Sequence, residues 1–105
     1  MKIIQEKFII GQNAQDNWNI LELTKPNHYF FHLASFPSPY VILTCEDIPS
    51  PKDIITGAQI CKEHTKYRNL KNIRVDYCPC SNVIKGDKTG EVIFLSLRKV
   101  KNIKI

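Results

Sequence analysis

The chain has 105 residues, of which 43% are hydrophobic, enough for one ordinary globular domain with a single core. It contains no apolar run of about 18 residues that could cross a membrane, and Gln5, Glu6 and Lys7 interrupt the N-terminal stretch where a secretory signal needs unbroken apolar residues. The net charge of +5 is unevenly spread: residues 1–50 hold three Lys and five acids, a net −2, whereas residues 51–105 hold twelve Lys or Arg and five acids, a net +7. Basic residues concentrated in one half can form a phosphate-facing patch, although lysine excess also keeps a small domain soluble.

Residues 2–10 are rich in Ile and Phe and read as a first strand. The strand ends at Gly11, where the backbone can turn without obstruction, and Asn13 is a good helix N-cap with Asp16 three positions later. Ala14, Trp18 and Leu21 repeat at helical spacing until Lys25-Pro26 stops the helix, which predicts a buried Trp18. Residues 28–34, HYFFHLA, place aromatics on both faces, the pattern of a central strand. Phe36-Pro37-Ser38-Pro39 turns the chain, and residues 40–45 return as a buried apolar strand.

Ser50, Pro51 and Asp53 start a second helix, with Ile54, Ala58, Cys61 and Thr65 on one face and Lys62 and Lys66 on another. Residues 72–78 alternate, with Ile73, Val75 and Tyr77 facing one way and Arg74 and Asp76 the other. Residues 85–90 form a turn, residues 91–97 a strand, and residues 100–105 pair back as the last one. Arg98, Lys99, Lys101 and Lys104 in that last stretch read as cations that protect a solvated edge. The order β-α-β-β-α-β-β-β predicts an α+β domain, a mostly antiparallel sheet with two helices, occupying residues 1–105 as a single unit. Met1 at the start of the first strand suggests a complete small protein.

Cys45, Cys61, Cys78 and Cys80 are even in number, but without a signal segment they point to a reducing, cytoplasmic setting in which thiols stay free. Cys78-Pro79-Cys80 lacks the C-x₂₋₄-C spacing of a zinc knuckle, so neither a metal nor another cofactor is expected. His32, His64, Cys61, Asp16 and Asp76 could serve catalysis, yet they fit no catalytic pattern. Cys61 and His64 lie three apart on one helix without an oxyanion donor or orienting acid, so the chain reads as a non-enzyme. Binding chemistry is better supplied. The helix start after Gly11 leaves backbone N–H groups for an anion, and Arg68, Lys71, Arg74, Lys85 and Lys88 flank the strand that carries Tyr77. Cations along a backbone and aromatic faces under bases are the means by which single-stranded or looped RNA is held.

The series G-x-N-x-x-x-N, an aromatic-aromatic-His strand, a second helix, V-x-Y, and a lysine loop closing on Gly-x-Val resembles the NFACT-R domain. That domain is the RNA-binding module of the large NFACT proteins of the RqcH and NEMF types, which attend stalled ribosomes, and it also occurs as a free-standing small protein. The matching residues are Gly11, Asn13, Asn17, Ile20, Phe31, His32, Pro37, Val41, Ala58, Val75, Tyr77, Val83, Lys85, Gly90 and Val92. The chain departs from the family at Gln12, where Arg is usual, at Phe30 in place of Trp, and at Ser38, Pro39 and Tyr40 in place of Gly-Ser-His; its lysine loop is short.

The resemblance implies an RNA-binding module without catalysis, associated with tRNA or the ribosome, with tRNA or ribosomal RNA as partner and ribosome-associated proteins as further partners. Its candidate nucleic-acid-binding residues are Gly11, Gln12, Asn13, Asn17, His32, Lys62, Lys66, Arg68, Lys71, Arg74, Lys85 and Lys88. A protein-protein adaptor on a ribosome-associated complex and a duplex DNA binder are the alternatives.

Overall fold

The segment Tyr29–Leu33 is apolar on both sides of its backbone, so it folds where both sides can be covered. A computed structural model describes residues 1–105. In chain order it contains β1 (Lys2–Ile4), β2 (Phe8–Ile10), α1 (Ala14–Glu22), β3 (Tyr29–Leu33), β4 (Val41–Leu43), α2 (Pro51–Glu63), β5 (Arg74–Pro79), β6 (Val83–Lys85), β7 (Val92–Phe94) and β8 (Lys101–Lys104). Six strands make an antiparallel sheet in the order β1-β2-β4-β3-β5-β8, with β3 in its interior, while β6 and β7 form a separate hairpin. The α+β class and the two helices are therefore as the sequence predicts. Neither helix is long and apolar enough to cross a membrane.

Two cores lie on opposite sides of the sheet. Phe31, Leu33, Val41, Leu43 and Val75 join Ala58 and Cys61 of α2 on one side. Phe30, Ile42 and Cys78 join Ile20 of α1, with Tyr40 and Val83, on the other. Ser50 caps α2 by accepting from the Asp53 N–H at 3.1 Å. Gly57 brings this helix against the sheet, since a Cβ there would lie 2.8 Å from the Phe31 ring.

Four expectations are refined by the tertiary contacts. The first strand is a hairpin, because Gln5 and Glu6 both take positive φ (53° and 61°) and Ile4 pairs with Phe8. The last strand pairs with β5, not with its predecessor in sequence. Ile103 lies opposite Val75, and Ile105 exchanges backbone hydrogen bonds with Ile73, which brings Ile103 and Ile105 onto the α2-side core. The preceding strand shortens to β7 and pairs with β6, a strand absent from the predicted order. Finally, α1 buries Asn17 and Ile20, leaving Trp18 and Leu21 partly covered and Ala14 exposed. The helix is turned so that Asn17 meets the sheet, and Trp18 instead packs over the hairpin, donating its indole N–H to the Glu91 carbonyl at 2.9 Å.

Phe31→Ala removes a fully buried ring between α2 and the sheet and is expected to cost about 3–5 kcal/mol. Trp18→Ala, whose ring is only half-buried, should cost about half as much on the same scale. Urea unfolding midpoints at constant m-value compare the two; a Trp18 variant as damaged as the Phe31 variant would contradict this packing.

Candidate nucleic-acid interface

One end of the sheet gathers most of the polar residues singled out by the sequence. The register places the end of β2, the turn between β3 and β4, the start of β5 and the end of β8 together there, through the pairs Ile10–Val41, Leu33–Val75 and Arg74–Lys104. The start of α1 and the end of α2 reach the same end, where they border a cavity of about 670 Å³. Gly11, Gln12, Asn13 and Asn17 line it, facing Pro37, Ser38 and Pro39, with His64 from the end of α2 and Thr89 and Gly90 from the tip of the β6–β7 hairpin.

Gly11 is required by a close approach. A Cβ at that position would lie 1.9 Å from Asn17 Oδ1, and this oxygen accepts a hydrogen bond from the buried Tyr40 N–H at 3.2 Å. The absence of a side chain at Gly11 thus lets an amide from α1 satisfy the backbone of the sheet. The Tyr40 hydroxyl in turn donates to the Gly90 carbonyl, which ties the hairpin tip to the sheet.

The start of α1 is largely self-satisfied. Asn13 Oδ1 accepts from the Asp16 N–H at 2.8 Å, and Asp16 Oδ2 accepts from the Gln12 N–H at 2.9 Å. The Met1 ammonium lies 2.7 Å from the same carboxylate oxygen; its hydrogen bond, followed by that from the Gln12 N–H, holds the Asp16 carboxyl below its ordinary pKa. The carboxylate already sits where an anion would meet this helix end, so the Gly11 turn supplies shape and amide groups to the cavity more than positive potential.

Positive charge comes from the neighbouring elements. Lys66 and Arg68 follow α2; Lys66 Nζ lies 5.4 Å over the Tyr67 ring, and Arg68 donates to the Thr65 carbonyl at 3.4 Å. Lys71 and Arg74 line an adjoining groove of about 420 Å³ with Phe36 and Asn72. Lys62 is partly spent on structure, donating to the Ile105 carbonyl at 3.0 Å. Lys85 is drawn to α1, paired with Glu22 and lying 5.2 Å over the Trp18 ring, whereas Lys88 is exposed in the hairpin loop. Acidic residues sit at the far end of the sheet: Asp53 in the first turn of α2 pairs with Lys7 at 2.8 Å, in the same region as Glu46 and Asp47 between β4 and α2.

His32 is half-buried on the α1 side of β3, stacked near Phe30 (6.2 Å) and edge-on to Tyr40 (5.7 Å). Burial lowers its pKa, so the imidazole is neutral at pH 7 and offers one donor and one acceptor. Tyr77, whose ring the sequence offers as a stacking face, instead stacks on Phe31 at 5.7 Å and packs against the α2-side core.

His64 and Thr89 are cavity residues that the binding pattern missed. The sequence sets His64 three positions from Cys61 on one helix, but the two do not form a dyad. The His64 ring bonds the Ile60 carbonyl at 2.8 Å, and the Cys61 thiol donates toward Ser38 Oγ and the Pro39 carbonyl, with burial pushing its pKa to about 12. No signal in the sequence brings residue 89 to residue 11, because that proximity depends on where the hairpin folds.

Comparison with known proteins adds an independent observation. The family described as "NFACT protein RNA binding domain" matches residues 4–93. No curated protein matches the chain. Among solved structures, the C-terminal part of the fibronectin/fibrinogen-binding protein from Streptococcus suis superposes with a TM-score of 0.84 at 23% identity, a likeness of fold. The match covers 93% of this chain and 39% of that one, so the present chain spans well under half the length of that relative.

Asn17→Ala leaves the Tyr40 N–H without its acceptor and should cost about 1–3 kcal/mol. Gly11→Ala forces Asn17 away and should destabilise to a similar degree, while the double variant loses less than the sum of the two. Additive losses in a denaturation cycle would show that Gly11 and Asn17 do not act through one contact.

Proposed function

The chain belongs to the NFACT protein RNA binding domain family, and on that premise we propose that it is a non-catalytic RNA-binding module that works on tRNA or on the ribosome. The observation that carries this reading is a cluster of four cations at one end of the sheet. Lys66, Arg68, Lys71 and Arg74 gather at the end that holds the Gly11 cavity with no acid paired to them, whereas Glu46, Asp47 and Asp53 at the other end lie among Lys7, Lys25, Lys99 and Lys101. Such an arrangement attracts and orients a polyanion. Phosphates meet the cations around the two grooves, and the backbone groups of the cavity, with the Asn13 amide and the His64 imidazole, add hydrogen bonds.

Tyr77 is packed against the core, so the aromatic side chains beside these cations are the half-buried Phe36 and Tyr67. The four free cysteines suit a reducing, cytoplasmic compartment. A protein-protein adaptor is the second reading, favoured by the exposed Ile84, Ile93, Leu95 and Leu97 on and beside the β6–β7 hairpin and by the fibronectin/fibrinogen-binding relative. Competition among tRNA, single-stranded RNA and duplex DNA at fixed salt distinguishes these ligands.

With about three to five phosphates neutralised, log affinity for tRNA should fall against log salt with a slope of roughly −2 to −4.5. Arg68→Ala combined with Lys71→Ala should weaken binding to every RNA and make the slope shallower by about 1 to 2, leaving the melting temperature nearly unchanged. Fluorescence anisotropy across a salt series tests both; a slope near zero, or no binding at low salt, overturns the proposal.

A further inference from the structure

A second polar surface lies on the α1 side of the sheet, on strands β3, β5 and β8. In register, His32 faces Asp76 and Asp76 faces Asn102, so the three side chains form one row across three strands. Arg74 and Lys104 form the next pair on the same face. Arg74, Asn102 and Lys104 are exposed, and His32 and Asp76 are half-buried. The side chains of Arg74, Asp76, Asn102 and Lys104 make no hydrogen bond or ion pair within the protein, unlike Lys7, Lys62 and Lys85, which are engaged.

We propose that this row is a reading site for an unpaired guanine in RNA, with the Asp76 carboxylate accepting from the guanine N1–H and N2–H and with Arg74 and Lys104 holding adjacent phosphates. The inference rests on the RNA-binding reading above and adds to it a preferred base and a location. A carboxylate only accepts hydrogen bonds, through two oxygens side by side. On the Watson–Crick edges, guanine alone presents two adjacent N–H donors; adenine pairs one donor with one acceptor, cytosine sets one donor beside two acceptors, and uracil sets one donor between two acceptors. Such edges are open to protein in loops and bulges of folded RNA.

The surroundings fit that role. Burial raises the Asp76 pKa while Arg74 draws it back, so the carboxylate is partly stripped of water and has no protein donor in its place. A pair of N–H groups from a base supplies what the protein does not. His32, neutral and fixed beside Tyr40, and Asn102 flank the carboxylate with groups able both to donate and to accept, suited to the remaining edge of the base. The two cations one register step away favour phosphate without neutralising Asp76 through a direct ion pair.

The test uses RNA stem-loops with one stem and a loop carrying guanine, adenine or inosine, which lacks the N2 amino group. Wild-type protein should bind the guanine loop about ten-fold more tightly than the adenine loop, with inosine between them. Asp76→Asn should bring the guanine-to-adenine ratio to about one while keeping the salt dependence that comes from phosphate contacts. In case the variant folds poorly, NMR of wild-type protein gives a second readout: GMP should shift the amide signals of residues 76 and 102 more than AMP at equal concentration. Equal affinity for guanine and adenine loops, or equal GMP and AMP shifts, overturns this site while leaving RNA binding intact. Failure of every stem-loop to bind at low salt overturns the RNA-binding reading as well.

Discussion

Phe30 and Phe31 are consecutive in β3 and fully buried, yet they point to opposite faces of the sheet. Burying both requires a layer on each side, and the remaining architecture follows from that demand. On the Phe31 side the layer is α2, which Gly57 allows to settle directly on the ring. On the Phe30 side α1 is too short to cover the sheet alone, so Tyr40, Val83 and Phe94 complete the second core and the β6–β7 hairpin folds over it.

This two-sided construction also fixes where chemistry can occur. Helix α1 begins where β2 ends, and α2 ends after returning along the sheet, so the start of one and the end of the other border the same cavity. Gly11 and Asn17 join that cavity to the core through the Tyr40 backbone, and the Tyr40 hydroxyl joins the core to the hairpin tip. A perturbation of the turn is therefore felt in packing as well as in any ligand contact. Beyond Cys78, which joins the second core, the α1-side face at the start of β5 and along β8 carries the polar residues Arg74, Asp76, Asn102 and Lys104.

Charged residues divide between structural and available ones. Lys7 with Asp53, Lys85 with Glu22, and Lys62 with the Ile105 carbonyl each hold two separate elements together. These are partly or largely exposed contacts of modest individual worth, but they take cations out of the pool that a polyanion could meet. Lys71, Arg74 and Lys104 are unengaged, and they lie where β5 begins and β8 ends. Net charge by sequence half therefore overstated one cluster and missed the division made by the fold.

Local chemistry made several features legible in the sequence: the Asn13 and Ser50 caps, the reversal at Gly11, the interior position of the HYFFHL strand and the α+β class. Each depends on residues within a few positions of one another, through side-chain-to-backbone bonds or strand alternation. The family resemblance is of the same kind, a succession of short motifs, and the family match over residues 4–93 agrees with it. What only the tertiary structure decided were contacts between distant segments. Residue 105 pairs with residue 73, Asn17 rather than Trp18 faces the sheet, Lys85 is drawn to Glu22, and Thr89 and His64 join Gly11 at one cavity. Strand partners and helix rotation are chosen by which apolar surfaces can be buried together across the whole chain, a competition to which no local pattern has access.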